Sequence, residues 1–320
     1  MDRRDNEEFS QYIQSAMQGE EEIGRREVTR EGGVYTLVLS RWDLSSLYPG
    51  MILYTLRLLS GEKSVTLFKT NSYEYSPAAS LDAGDVARKK LDDWEDLLKD
   101  QGPGPFLSRR ETVRETGVEA GADVLVLQGS PRADGNSGLL ASWALEEVEA
   151  AGFTGRVIFV HDLMARPCIG CYQCYNTGTC TFQDDMTGVI DALRQAGLLI
   201  VCTPVYTSTV PAGLKLVIDR FQAFHAEMIL AGESHAKRGL LLAVAGRTGE
   251  ENFTCVTRVV NDFMRNIHIV PSGSVLVDGL DHKKDIRTIP GVEEKTRELL
   301  RRTLMKMTEQ KASRPVSGEQ

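Results

Sequence analysis

Residues 122–137 read ADVLVLQGSPRADGNS: an apolar run ending at Gln128, a loop of glycine, proline and small polar residues, then Ser137 at the head of a segment with helical spacing. An unbroken Val and Leu run suits a strand covered on both faces, and such strands belong to parallel sheets flanked by helices. The loop between this strand and helix is a place for an anion. Amides at a helix start point outward without partners and the helix dipole favours negative charge. The side chains of Ser130, Asn136 and Ser137, with the Arg132 guanidinium, complete a shell of donors. The loop fits neither G-x-G-x-x-G nor G-x-x-x-x-G-K-[ST], which disfavours dinucleotides and nucleoside triphosphates and leaves a monophosphate, such as that of FMN, as the better occupant. The bland alternative is that Asn136 or Ser137 only caps the helix and Gly135 makes a turn.

Downstream, the strand signal returns in RVIFVHDL (156–163), GLLIVCTPVY (197–206), GLLLAVAG (239–246) and HIVPSGSVLV (268–277). Amphipathic helices are predicted near 186–196, 211–228, 251–265 and 291–309. Five strands with helices between them imply an α/β fold with a doubly wound five-stranded parallel sheet, whose ligands bind beyond the carboxyl ends of the strands. Upstream the pattern differs. VYTLVLS (34–40), MILYTLRLLS (51–60) and SVTLFKT (64–70) read as hairpin strands, the last two joined by a turn at Gly61. From Ser80, the spacing of Ala87, Leu91, Trp94 and Leu98 predicts a helix packed on them. Residues 1–30 read as a charged helix followed by the start of a strand, with Glu20–Glu22 as a solvated face.

The chain has 320 residues, and a prior of about 100–200 residues per domain suggests two units. QGPGP at 101–105 marks the boundary. The expected division is a small N-terminal α+β domain with hairpins over 1–105, a connector over 106–120, an FMN-binding domain over 121–309 and a polar tail over 310–320. A chain starting near Gly121 is then expected to fold and bind FMN by itself. A net charge of −8 without a Lys/Arg stripe argues against a nucleic-acid surface. The first residues lack the apolar stretch of a secretory signal and no run is long enough to cross a bilayer, so a cytoplasmic location is expected.

Four of the six cysteines crowd into PCIGCYQCYNTGTC (167–180). Cys168, Cys171, Cys174 and Cys180 follow C-x2-C-x2-C-x5-C, a compact run suited to a [4Fe-4S] cluster. A redox-active disulfide, free thiols and another metal are the alternatives, zinc being the poorer fit because its knuckles are usually paired across a longer connection. Asp184 or Asp185 is placed to cap the helix that follows. Cys202 and Cys255 lie in apolar stretches and read as core residues. The five histidines show no paired ligand spacing and are assigned no role.

Taken together, GSPRADGNS (129–137), the cysteine loop, DDM (184–186) and TPVYTSTVPAGLKLVIDR (203–220) resemble the NAD(P)H-dependent FMN reductase group of flavodoxin-like proteins, and especially its iron-sulfur flavoprotein branch. The resemblance spans about 121–309. It implies that Ser130, Arg132, Asn136 and Ser137 hold the FMN phosphate, that Pro204, Val205, Tyr206 and Thr207 line the ribityl chain and ring, and that Gly246, Arg247 and Thr248 approach the ring's polar edge. Relatives often carry an aromatic residue and glycines after the tyrosine, where this chain has Thr207, Ser208 and Thr209. Lys215, Asp219 and Arg220 also match, although a solvated helix face explains them. A homodimer or homotetramer is implied, with FMN near an interface.

The expected activity is electron transfer: a ferredoxin-like donor reduces the cluster, the cluster reduces FMN, and FMN reduces a small-molecule or protein acceptor. One alternative is an NAD(P)H-dependent FMN or quinone reductase without a cluster, with NAD(P)H as the electron donor. Another is a redox-responsive, non-enzymatic binding protein whose hairpin domain engages a partner.

Overall fold

The computed structural model describes residues 19–30, 33–46, 48–61, 63–75, 81–103, 106, 121–232 and 237–312. The hairpin signals become a four-stranded antiparallel meander of β1 (Glu20–Arg30), β2 (Gly33–Asp43), β3 (Ile52–Ser60) and β4 (Lys63–Asn71), paired in that order. Period-two alternation selects its buried face: Leu37 and Leu39 of β2 and Leu56 and Leu58 of β3 pack against Ala87, Leu91 and Leu98 of helix α1 (Ala83–Gln101). The helix starts where the Asp82 carboxylate accepts the Asp85 amide at 2.8 Å and ends at Gly102, whose φ is +72°. Gly24 lies at a bulge in β1 under this helix, where a Cβ would stand 2.7 Å from Leu91 Cδ2. The exposed acids Glu20–Glu22 lie in the edge strand itself, where charge discourages pairing with other chains. The helix expected before them, most of the expected connector and the end of the tail fall outside the described residues. Phe106, from the connector, packs on Trp94 with ring centroids 5.7 Å apart and joins the N-terminal core.

The second unit is a parallel sheet of β5 (Val124–Gln128), β6 (Gly155–Phe159), β7 (Leu198–Pro204), β8 (Lys237–Val244) and β9 (Ile269–Val277), in the order β6-β5-β7-β8-β9. Its helices are α2 (Asn136–Ala150), α3 (Cys174–Thr177), α4 (Met186–Gln195), α5 (Ala212–Arg220), α6 (Gln222–Ala231), α7 (Thr254–Asn266), α8 (Leu280–Lys283) and α9 (Val292–Ala312). Every residue of β5 is buried because its alternate side chains enter two cores. Leu125 and Leu127 belong to a core built with α4, α5, α6 and α7, whereas Val124 and Val126 belong to one built with α2 and α9. At about 1.5–3 kcal/mol for each such side chain buried, this strand is a main source of the unit's stability. The helix expected over 211–228 divides at Phe221, whose amide is shared between the Val217 and Ile218 carbonyls at 3.1 and 3.2 Å. Cys202 is buried in β7, but Cys255 is exposed on the solvent face of α7, correcting its assignment to the core.

The two units share a small core of their own. Leu44, Met51 and Leu53 pack with Tyr175 and Ala226. Beside them the Asn71 side-chain amide donates to Asn176 Oδ1 at 2.6 Å, and both asparagines are 0% exposed. Among the described residues no helix is long and apolar enough to cross a membrane.

Candidate functional site

In the order β6-β5-β7-β8-β9, the chain leaves β5 toward one edge and returns to β7 on its other side, so a crevice opens between the loops following β5 and β7. A cleft of about 800 Å³ lies there. Ser130, Arg132, Asn136, Ser137, Pro204, Val205, Tyr206, Thr207, Gly246 and Arg247, named from widely separated segments, all line it. Thr248 does not: it is exposed, and its hydroxyl faces Gly279.

The loop after β5, the expected phosphate loop, is shaped by close backbone packing. A Cβ on Gly129 would crowd Thr203 Oγ1 at 3.0 Å, and one on Gly138 would strike the Ala133 carbonyl. Gly138 was not singled out from sequence, and only this tight turn reveals its use. Gly135 is the N-cap of α2, so neither Asn136 nor Ser137 serves as the cap; no side chain caps the first-turn amides, and Gly135, Asn136 and Ser137 line the cleft. The Ser130 hydroxyl accepts the Arg132 amide at 3.2 Å, which holds the loop's shape. Asn136 has a further role. Its Nδ2 donates to the Lys284 carbonyl at 2.9 Å and its Oδ1 accepts the Ile286 amide at 3.0 Å, clamping the loop after α8 against the phosphate loop. That clamp brings Asp281, Lys284 and Arg287 into the lining. Sequence reasoning missed these three, although their position after the fifth strand was a usable signal.

After β7, Tyr206 and Thr209 exchange backbone hydrogen bonds of 2.8 and 3.0 Å around a tight turn. Thr207 and Ser208 within it have φ of +47° and +65°, a left-handed conformation that costs a non-glycine residue about 1–2 kcal/mol. The Tyr206 ring is left 41% exposed at the cleft.

A second cleft, of about 510 Å³, is lined by all four loop cysteines, with Tyr172, Tyr175, Phe182 and Arg220. Cys168 and Cys171 are exposed, while Cys174 and Cys180 are half-buried. Burial, and then the neighbouring Cys171, Cys180 and Cys168, push the Cys174 thiol up to about 12. The loop is tied down by carboxylates. Asp185 Oδ2 accepts the Met164 amide at 2.7 Å and Asp184 Oδ2 accepts the Arg166 amide at 3.0 Å. Asp184 also accepts the Met186 amide at 3.2 Å, as expected of a helix cap, but Asp185 makes no capping bond.

Arg220 overturns its reading as a solvated residue. It is 2% exposed, donates to both Asp184 oxygens at 2.7 and 2.9 Å and to the Arg166 carbonyl at 2.6 Å, and stands over the Phe182 ring. Its charge is neutralised inside the fold by the mostly covered Asp184 carboxylate, which the loop itself supplies. Burial opposes its charge, yet the Asp184 hydrogen bonds and nearby Cys180 hold its pKa above the ordinary value. Burial likewise opposes the Asp184 carboxylate, and Arg220 holds it below its usual range. Lys215 and Asp219 do form an exposed pair, at 2.6 Å. Of the unassigned histidines, His225 has a clear role: its Nδ1 lies 2.5 Å from the Asn266 carbonyl and so carries the proton, leaving Nε2 to accept the Tyr48 hydroxyl at 2.6 Å.

Residues 122–281 match the model of the NADPH-dependent FMN reductase family. An iron-sulfur flavoprotein of Methanocaldococcus jannaschii is 32% identical over 148 residues, covering 46% of this chain and 74% of its own. One of Methanosarcina thermophila is 30% identical over 172 residues, covering 52% and 83%. The solved apo form of an NADH:FMN oxidoreductase is 20% identical, with a TM-score of 0.42 over 57% of this chain and 88% of that one. The family match begins at the β5 strand and leaves the N-terminal meander outside it.

Proposed function

The chain belongs to the NADPH-dependent FMN reductase family, with the iron-sulfur flavoproteins among its relatives, and is a flavin-dependent oxidoreductase; from that premise we propose that it carries electrons from a one-electron donor through a [4Fe-4S] cluster to FMN and on to a small-molecule or protein acceptor. The observation that carries this reading is that Cys168, Cys171, Cys174 and Cys180 ring one cleft. Among the described residues, no group of three or more His, Cys, Asp or Glu side chains is gathered so as to hold a metal ion. What supports the cluster is the supply of four thiols by one compact loop, whereas structural zinc usually takes paired knuckles across a longer connection.

A cluster held there would supply one-electron chemistry to a flavin that accepts or donates two electrons. The chain's own residues have separable tasks. The α2 amides, Ser130, Ser137 and Arg132 would bind the phosphate, and the Pro204–Thr207 segment would orient the ring. Asn136 holds the Lys284 loop closed over the phosphate end, and the Arg220–Asp184 pair fixes the cysteine loop beside Cys180.

Anaerobic purification followed by flavin, iron and acid-labile sulfide analysis, with electron paramagnetic resonance after reduction, tests the proposal. About four irons and four sulfides per chain, lost on replacing any of the four cysteines but kept in Cys202→Ala, is the expected result. FMN without iron or sulfide after attempted reconstitution, together with rapid bleaching by NAD(P)H, would replace it with direct NAD(P)H-dependent flavin or quinone reduction.

A further inference from the structure

The cysteine cleft is not made by the family-matched residues alone: Tyr48 and Tyr73, from the N-terminal unit, also line it. We propose that the N-terminal unit is a built-in cover of this cleft, with Tyr48 and Tyr73 as positioning residues that close one wall to water and small solutes. The inference goes beyond the proposed function and depends on it only for what the cleft holds.

Both tyrosines are fixed from several sides. Tyr48 meets the Tyr175 ring edge-on at 5.0 Å and donates to His225, within a turn closed by bonds from the Tyr48 amide to the Leu44 carbonyl and from the Met51 amide to the Tyr48 carbonyl, each 2.9 Å. Tyr73 meets the Tyr172 ring edge-on at 5.2 Å, and its hydroxyl donates to the Pro49 carbonyl at 2.9 Å, joining the two N-terminal segments that reach the cleft. With the Tyr172 and Tyr175 centroids 5.9 Å apart, these four tyrosines form a continuous aromatic wall, and Cys174 packs on the same cluster.

The docking has a single register because the Asn71–Asn176 hydrogen bond is wholly buried. Asn176 also donates to Glu74 Oε1. Shifting the register while the interface stays packed would strand the Asn176 amide out of reach of water, at about 1–3 kcal/mol, whereas Asn71 keeps Glu74. The opposite side is open: Ile169 is 63% exposed, next to the exposed Cys168. The cover therefore makes the cleft one-sided, with access along the Cys168–Cys171 edge.

Alkylation of the metal-free, full-length protein, read cysteine by cysteine by mass spectrometry, tests this without any cluster. With iodoacetamide, Cys174 is expected to label more slowly than Cys168 in the wild type. Tyr48→Ala and Tyr73→Ala are each expected to speed Cys174 labelling by about tenfold while leaving Cys168 within about twofold. Tyr48→Phe keeps the ring and is expected to label like the wild type, which separates the cover from the His225 hydrogen bond. Circular dichroism and FMN titration identify the folded variants. The proposal is overturned if wild-type Cys174 labels as fast as Cys168, or if Cys174 labelling is unchanged in whichever alanine variant folds. Absence of iron and sulfide after reconstitution would sink the cluster proposal while leaving the labelling result intact, so the two failures are distinguishable.

Discussion

Arg132 and Ser137 face the same cleft as Asn136, yet their substitutions are expected to read differently. Removing a charge-assisted donor costs about 1.5–3 kcal/mol, so Arg132→Ala is expected to weaken FMN about 10–100-fold and riboflavin little. Asn136→Ala releases the Lys284 loop and is expected to weaken both ligands; binding titrations with the two flavins decide. Equal losses for FMN and riboflavin in Arg132→Ala would remove Arg132 from the phosphate site. Arg220 separates from its helix neighbours in the same way. Arg220→Met leaves the mostly covered Asp184 carboxylate with its two backbone amides but no cation, an expected loss of about 3 kcal/mol in urea unfolding, while exposed Lys215→Ala stays within about 0.5 kcal/mol. Because Arg220 holds Asp184 below its ordinary value, the pair's contribution is present above pH 3.8 and is lost as pH falls through the folded value. A loss for Arg220→Met no larger than that for Lys215→Ala would show that the pair does not anchor the loop.

At the level of elements, the histidines on α6 and just before β9 give the interface between units a pH response. Burial, and then the charge of His225, hold His268 at about 4 against an ordinary 6.5, and burial also lowers His225. The unfolded chain takes up protons near pH 6.5 that the folded protein resists. Stability is thus full above that pH and declines as pH falls toward 4. Thermal unfolding is expected to follow this window, and His268→Gln to flatten it. An unchanged slope would place the response on carboxylates instead. Strands β2 to β9 were legible because each carries its own apolar run, and the loop after β5 because strand, loop and helix are contiguous in residues 122–137. Charged β1 (EEEIGRREVTR) has no such run and reads only as the start of a strand after a solvated face. Asp281, Lys284 and the inward turn of Arg220 were not legible, since each depends on a partner far along the chain: Gly246, Asn136 and Asp184. The break at Phe221 was hidden for a related reason: both half-helices keep apolar residues, and only the shared amide marks the bend.

For the whole molecule, the shared core bears on whether residues from Gly121 onward stand alone. Without the meander, Tyr175 and Ala226 lose their cover and Asn176 loses both side-chain partners. A chain of residues 121–320 is expected to keep its FMN affinity, because the phosphate loop touches none of these groups, but to melt below the full-length protein; calorimetry with FMN titration checks both. Equal melting temperatures would show the interface to be energetically neutral. The meander's pairing order carries a consequence for biosynthesis. Its strands join only their immediate neighbours in the chain, whereas β5 must wait for β7 before its second edge is paired. Local pairings close quickly and distant ones slowly, and a ribosome adds only about 5–20 residues per second. The N-terminal third can therefore be finished before residues 168–180 have emerged, so that the cysteine loop folds against a surface already standing, and its thiols are screened on one face from the surrounding medium during their own maturation.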